Sequence, residues 1–258
     1  MPCARCSQPP SPDDGRVAAE RRHRAGTKTA RRPPYARVVG FLAVLLPQRC
    51  AVCRAPGTSL CSGCRRALVR VGPPLCERCG APGPWPLRRC SECAGRRLAF
   101  ATARAAIVYD DRARALVVAW KEHGRRDLAR EAASLVAETV PRPDVDAICF
   151  VPGEPDRTLR RGHVTARALA VQLAREWGLP AAPLLGRRRG GARQRSLARA
   201  ERRSNVARAF VGRGSAPRRV CLVDDVYTTG STVAACAREL RRSGARRVDV
   251  VCLARAVR

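Results

Sequence analysis

The sequence predicts an α/β protein: a largely parallel sheet with helices on both faces, preceded by a small Cys-rich metal-binding module. Three observations carry this. After residue 98, short apolar stretches of strand character alternate with amphipathic helical ones, which implies crossover connections between parallel strands. Between residues 50 and 93, four C-x-x-C pairs follow one another among Pro and Gly. One apolar strand, within "VCLVDDVYTTGST" (220–232), runs into two aspartates and then a loop of small hydroxyl residues around a glycine.

At 258 residues the chain has room for one full-sized domain and a small module. Residues 1–35 are rich in Pro, Arg and Gly without apolar periodicity and read as a disordered basic tail; Cys3 and Cys6 there have no matching second pair nearby. A short amphipathic helix over 36–46 opens the module, which extends to residue 97. The apolar run "VVGFLAVLL" (38–46) is too short to span a bilayer and starts too late for a secretory signal. It follows "RRPPYAR", as a twin-arginine signal would, but leads into "PQRCAVC" rather than a small-residue cleavage site. A reduced, cytoplasmic protein with no membrane span is expected.

The module carries Cys50/Cys53, Cys61/Cys64, Cys76/Cys79 and Cys90/Cys93, with seven, eleven and ten residues between successive pairs. Each C-x-x-C turn presents two thiolates to one side, and two turns complete a tetrahedron around zinc. "CERCGAP" adds the glycine that a tight knuckle favours. So short a segment builds no core of its own, so the metal supplies folding energy. The spacing leaves open one zinc or two, and iron–sulfur ligation as a minor rival.

From 98 to 258, strands are expected at 102–108, 147–152, 181–185, 219–224 and 247–254. Helices are expected at 112–121, 127–139, 163–177, 199–209 and 231–243. Cys149, Cys221, Cys236 and Cys252 fall inside these patterns and read as core residues. In such sheets ligands bind beyond the carboxyl ends of the strands, where Asp224 and Asp225 stand. The following Thr228, Thr229, Gly230, Ser231 and Thr232 lead into a helix. Backbone N–H groups at a helix N-terminus, with those hydroxyls, form a phosphate cradle, and Gly230 permits close backbone approach. The carboxylates would repel a phosphate but suit the hydroxyls of a ribose, so one motif could hold a sugar phosphate by both ends. The bland alternative is an acidic turn and a helix cap.

Those thirteen residues resemble the phosphoribosyl pyrophosphate (PRPP) signature of type I phosphoribosyltransferases. No G-x-G-x-x-G or G-x-x-x-x-G-K-[ST] is present. With the cysteine module in front, the chain resembles the ComF family of competence proteins. "LLPQRCAVC" is similar to that family's opening, and "VVAWKEHG", with Lys121, to its L-K-x-x-G segment. "VPGEPDRTLRRGHVTARALA" resembles its V-P-V-P and R-G-F-N-Q stretch, and "RQRSLARAERRSNVARAF" its Q-x-x-L, E-R-x-x-N and A-F pattern. The likeness runs from about residue 40 to the C-terminus. Gly153 and Glu154 depart from it, replacing Val and Pro, as does "RGHVTA" for R-G-F-N-Q-A.

The resemblance implies a type I phosphoribosyltransferase-like sheet that binds PRPP with Mg²⁺ through Asp224, Asp225, Tyr227, Thr228, Thr229, Gly230, Ser231 and Thr232, the two aspartates being the catalytic pair. Lys121, Arg160 and Arg161 are candidates for the pyrophosphate. Transfer would pass through an oxocarbenium-like sugar, with the protein supplying charge and orientation. No acceptor pocket is legible. A glutamine-hydrolysing half is missing, since Cys3 lies behind Pro2 instead of at an N-terminus. His163 reads as a helix-start residue. The resemblance points first to a PRPP-binding protein of DNA uptake. A salvage-type transferase acting on a base, and a zinc-ribbon protein that binds single-stranded DNA on an inert sheet, are the alternatives. PRPP, single-stranded DNA and a DNA-uptake helicase are the corresponding partners. The formal charge of +30 suits nucleic acid, and residues 157–219 hold seventeen Arg against Glu176 and Glu201, a net of +15. Yet only Lys28 and Lys121 are lysines and aromatics are 4%, so coding bias explains the charge equally well and stacking platforms are few.

Overall fold

A computed structural model describes residues 48–188 and 209–257. The expected tail (1–35), the helix at 36–46 and all but the last residue of the expected helix at 199–209 lie outside them. The elements in order are α1 (Ser62–Ala67), β1 (Thr102–Val108), α2 (Asp111–Lys121), α3 (Leu128–Thr139), β2 (Ala147–Phe150), α4 (Pro155–Arg161), α5 (Thr165–Trp177), β3 (Leu185–Arg187), β4 (Phe210–Gly212), β5 (Arg219–Tyr227), α6 (Ser231–Arg242) and β6 (Arg247–Arg255).

Four strands form one parallel sheet in the order β1-β6-β5-β2. Val is the commonest residue of its central strands, β5 and β6, and their runs of buried residues lack the alternation a half-exposed strand would show, because both faces are covered. On one face Trp120 of α2, Leu135 of α3 and Leu169 of α5 pack with Ile107, Ile148, Val223 and Leu253. On the other, Cys236 and Leu240 of α6 pack with Val220, Leu222 and Val250. Helices thus lie on both faces, as expected. The second face also takes Phe210 from the antiparallel β3–β4 pair, Cys76 and Cys79 from the second half of the cysteine module, and Phe100 from the segment after it. The first half, with Cys50 and Leu60, joins the other face. Cys149, Cys221, Cys236 and Cys252 are fully buried core residues.

Three expected elements differ. The strand at 181–185 is a single bridge, Ala181 to Ile148, and the true strand starts at Leu185 and pairs antiparallel with β4. Pro180 and Pro183 explain this: neither can donate a ladder hydrogen bond. The strand at 147–152 ends at Phe150, before Pro152. The strand at 219–224 extends to Tyr227, so Asp224 and Asp225 sit within the paired strand; Asp224 lies opposite Cys252 of β6. Helix α4 was not expected, although Pro155 at its start, Arg160 and Arg161 in its last turn and Gly162 at φ 66° are ordinary boundary signals.

Topology fixes where a ligand can enter. From β5 the chain passes through α6 to β6, on one side; from β2 it passes through α4 and α5 to Ala181, on the other. The crevice beyond the ends of β2 and β5 is therefore the switch point of the sheet, the place where open α/β folds accept ligands.

Candidate functional site

A cleft of about 290 Å³ opens at that switch point, lined among others by Lys121, Gly153, Arg161, Thr165, Arg187, Asp224, Asp225 and Thr232. Successive strand residues point to opposite faces, so the two aspartates meet different neighbours. Asp225, 7% exposed, accepts from Lys121 Nζ at 2.7 Å and from the Thr165 hydroxyl. Lys121 comes from the end of α2 and Thr165 from the start of α5, so one carboxylate ties two helices to the strand end. Asp224 is half-buried and accepts from the Asp225 N–H at 2.9 Å. Burial, and then the Asp225 charge beside it, push the Asp224 carboxyl up to about 8, against the smaller opposing pull of that N–H and of Lys121. A carboxyl held that far from its ordinary range in a cleft marks a candidate functional site.

The loop after β5 begins the twelve-residue helix α6. Gly230 adopts φ 71°, and Thr229 Oγ1 accepts from the Ser231 N–H at 3.4 Å while bonding Ser231 Oγ at 2.9 Å. Thr228 and Thr229 are exposed, and Thr232 faces the cleft. Tyr227, expected at the ligand, is buried at 4% exposure on the face towards the cysteine module. The structure does not bring it to the cleft.

Lys121 and Arg161 are in the cleft. Arg161 is ion-paired with Glu122, its Nε 3.1 Å from Oε2, whereas Arg160 is exposed and is not among the residues that line the cleft. His163 has both ring nitrogens 2.9 Å from carbonyl oxygens, those of Arg161 and Trp120, so it braces the loop and has no nitrogen turned to a ligand. The departure at Gly153 has a local cause: a Cβ there would stand 2.5 Å from Thr158 Oγ1 and 2.9 Å from a Val164 methyl. Sequence reasoning missed Thr165 and Arg187. Nothing in a Thr at a helix start or an Arg in an Arg-rich chain marks it as a cleft residue.

The cysteines resolve into two sets, Cys50/Cys53/Cys61/Cys64 and Cys76/Cys79/Cys90/Cys93, each with its sulfurs within 4.8 Å of one another. Zn–S bonds of about 2.3 Å in a tetrahedron place sulfurs roughly 3.8 Å apart. Cys53–Cys61 and Cys76–Cys93 lie at 3.7 Å, Cys79–Cys90 at 3.4 Å and Cys90–Cys93 at 3.9 Å, far beyond the ~2.05 Å of a disulfide. Burial raises the Cys76 thiol, but the N–H groups of Cys79, Cys90 and Arg78 outweigh it and hold it down to about 6; burial pushes Cys79 well up. Four thiols so crowded ionise together only around a cation, and both sets fit closed, structural zinc. Freshly reduced protein should carry two equivalents of zinc by elemental mass spectrometry. One equivalent or none would overturn the pairing.

No helix among the described residues is long and apolar enough to cross a membrane. A double zinc ribbon domain matches residues 41–94. The chain is 33% identical over 227 residues to the DNA utilization protein YhgH of Salmonella typhi, covering 81% of this chain and 98% of that one. It is 31% identical over 224 residues to competence protein F of Haemophilus influenzae, covering 81% and 97%. Among solved structures, the glutamine PRPP amidotransferase from B. subtilis matches 50% of this chain and 26% of its own at 22% identity, with a TM-score of 0.33. Two relatives covered almost end to end, with a double zinc ribbon in front of a parallel sheet, place this chain in the ComF family.

Proposed function

We propose that the cleft binds PRPP with Mg²⁺ and that the protein acts in DNA uptake or utilization, as the names of its relatives suggest. The observation that carries this reading is the division of labour between two adjacent carboxylates. Asp225 is committed to Lys121 and Thr165, while Asp224 faces the same cleft without that partnership and with its proton held. A ribose diol would add donors to the one N–H that Asp224 already accepts, and the loop 228–232 leading into α6 would supply N–H groups and hydroxyls for the 5-phosphate. Lys121, Arg161 and Arg187 are cations lining the cleft, and in this reading they would take the pyrophosphate. The Mg²⁺ that accompanies PRPP would neutralise pyrophosphate charge beside Asp224. Transfer of the ribosyl group to an acceptor is the reaction such a site suits, and in it these residues bind and orient. With both nitrogens on carbonyl oxygens, His163 is not placed to act as a base toward an acceptor.

A second reading has its own observation. On the second ribbon, Trp85 is 60% exposed in the same segment as Arg88 and Arg89, and an exposed indole with neighbouring arginines suits the bases and phosphates of single-stranded DNA. Calorimetry separates the two. PRPP with Mg²⁺ should bind with micromolar affinity, and ribose 5-phosphate at least tenfold more weakly because it lacks the pyrophosphate contacts. Oligonucleotide binding, by contrast, should weaken steeply with salt. Failure of PRPP to bind at millimolar concentration would remove the first reading.

A further inference from the structure

The most buried cation of the described residues is Arg255, at the end of β6 and 1% exposed. A guanidinium out of water is costly unless its donors are matched. Here the matching comes almost wholly from the second zinc ribbon: Arg255 donates to the Cys79 carbonyl at 2.7 Å and to Glu92 Oε2 at 2.7 Å, with Nη2 3.7 Å from the Cys79 sulfur. Its other face lies 4.5 Å from the centroid of the Tyr227 ring. That ring in turn shapes the ligand loop, since its hydroxyl occupies the space where a side chain at Gly230 would begin, 2.2 Å from a Cβ there. A second link is independent of the first. Arg96, three residues after Cys93, donates to the Thr229 carbonyl at 2.6 Å.

We propose that the second zinc ribbon is a working part of the ligand site: through Arg255 and Arg96 it sets the conformation of the loop 228–232, so that this ribbon's integrity governs ligand affinity. Arg255 and Arg96 are positioning residues, acting through Tyr227 and Thr229. Among the described residues the first ribbon makes no such link; its side-chain bonds run to α3 and the turn before it, Arg65 to Glu131 and Glu138, and Gln48 to Asp127. The two metal centres therefore do different work, one holding helices to the sheet and the other holding the loop. The Arg255 guanidinium beside the Cys79 sulfur also belongs to the outer shell that would orient a metal ligand, so coupling runs both ways.

The inference rests on the PRPP reading for its effect on affinity, but not for its effect on the loop. Three variants test it: Arg255→Met, Arg96→Ala and, as a control that removes the same charge from the same surface, Arg97→Ala. Zinc content, thermal midpoint, amide exchange across 227–234 and PRPP affinity are measured on the full chain. Arg96→Ala should keep two zincs and the parent's melting behaviour, yet exchange at least tenfold faster across 227–234 and bind PRPP at least tenfold more weakly. Arg97→Ala should change neither. Arg255→Met should show the larger effect of the same kind. If it loses zinc or fails to fold, Arg96→Ala still decides. Unchanged exchange in zinc-replete Arg96→Ala would overturn the proposal. If the parent itself binds no PRPP, the ligand reading fails, and the exchange data alone decide whether the ribbon holds the loop.

Discussion

Replacing both Asp224 and Asp225 by Asn is expected to abolish PRPP binding in calorimetry, while the single variants move stability in opposite directions. Asp225 satisfies Lys121 and Thr165 in a nearly closed environment, so Asp225→Asn leaves a half-buried ammonium without its counter-charge and should cost about 1–3 kcal/mol. Asp224→Asn removes a carboxylate that burial and Asp225 disfavour, and should stabilise the unliganded protein by about 1–2 kcal/mol at neutral pH, a discounted figure because the group is partly open to the cleft. The sign over pH follows from the raised value. The parent's stability from this group is complete below the ordinary carboxylate range near 4 and is lost as pH rises towards about 8. The gain from Asp224→Asn should therefore be absent at pH 4, grow between pH 4 and 8, and level off above. Urea titrations at pH 5 and pH 8 measure it. A double variant that still binds PRPP like the parent would leave the pair a structural one, tying helices α2 and α5 to β5.

Gly230→Val should also eliminate binding, and here the structure supplies a reason the sequence does not contain. The sequence suggests that glycine lets the loop backbone approach a phosphate. In the folded protein Gly230 has φ 71°, and any Cβ would stand 2.2 Å from the Tyr227 hydroxyl and 2.6 Å from the ring carbon bearing it. Strain at a left-handed residue and overpacking against a buried ring together cost about 2–4 kcal/mol. Both effects act inside the protein, whatever the ligand. A double-mutant cycle isolates the steric part: Tyr227→Phe removes the obstructing oxygen, so Gly230→Ala should be milder by about 1 kcal/mol in that background. No difference between the two backgrounds would show that the hydroxyl is not the obstacle.

Much of the molecule is legible in its residues because the signals are local. The strand at 102–108 and the helices ending near 121, 139, 177 and 242 follow from apolar period and end signals within each segment. The same end signals flank α4, in Pro155 and Gly162, but a seven-residue helix carries too little apolar period to identify it from sequence. The strand at 181–185 failed for the opposite reason. Its composition is apolar, but its prolines withhold the hydrogen bonds that a sheet position needs.

The sequence by itself marked eight cysteines spaced as metal ligands, two carboxylates leading into a hydroxyl-rich loop at a helix start, and Lys121 as a candidate for the same site. Each is a short-range pattern of chemically distinctive groups, and the lysine stands out against an arginine background. Tertiary structure alone decided which knuckles share a metal. It also set Asp225 against Lys121 while leaving Asp224 to the cleft, and turned Tyr227 inward. Arg255 is the clearest case. In a chain with this much arginine nothing local distinguishes it, and its partners Glu92 and Cys79 lie 163 and 176 residues away in sequence. Burial and pairing across such separations are properties of the packed fold, because the desolvation that makes a charge significant exists only once the ribbon has closed over the sheet.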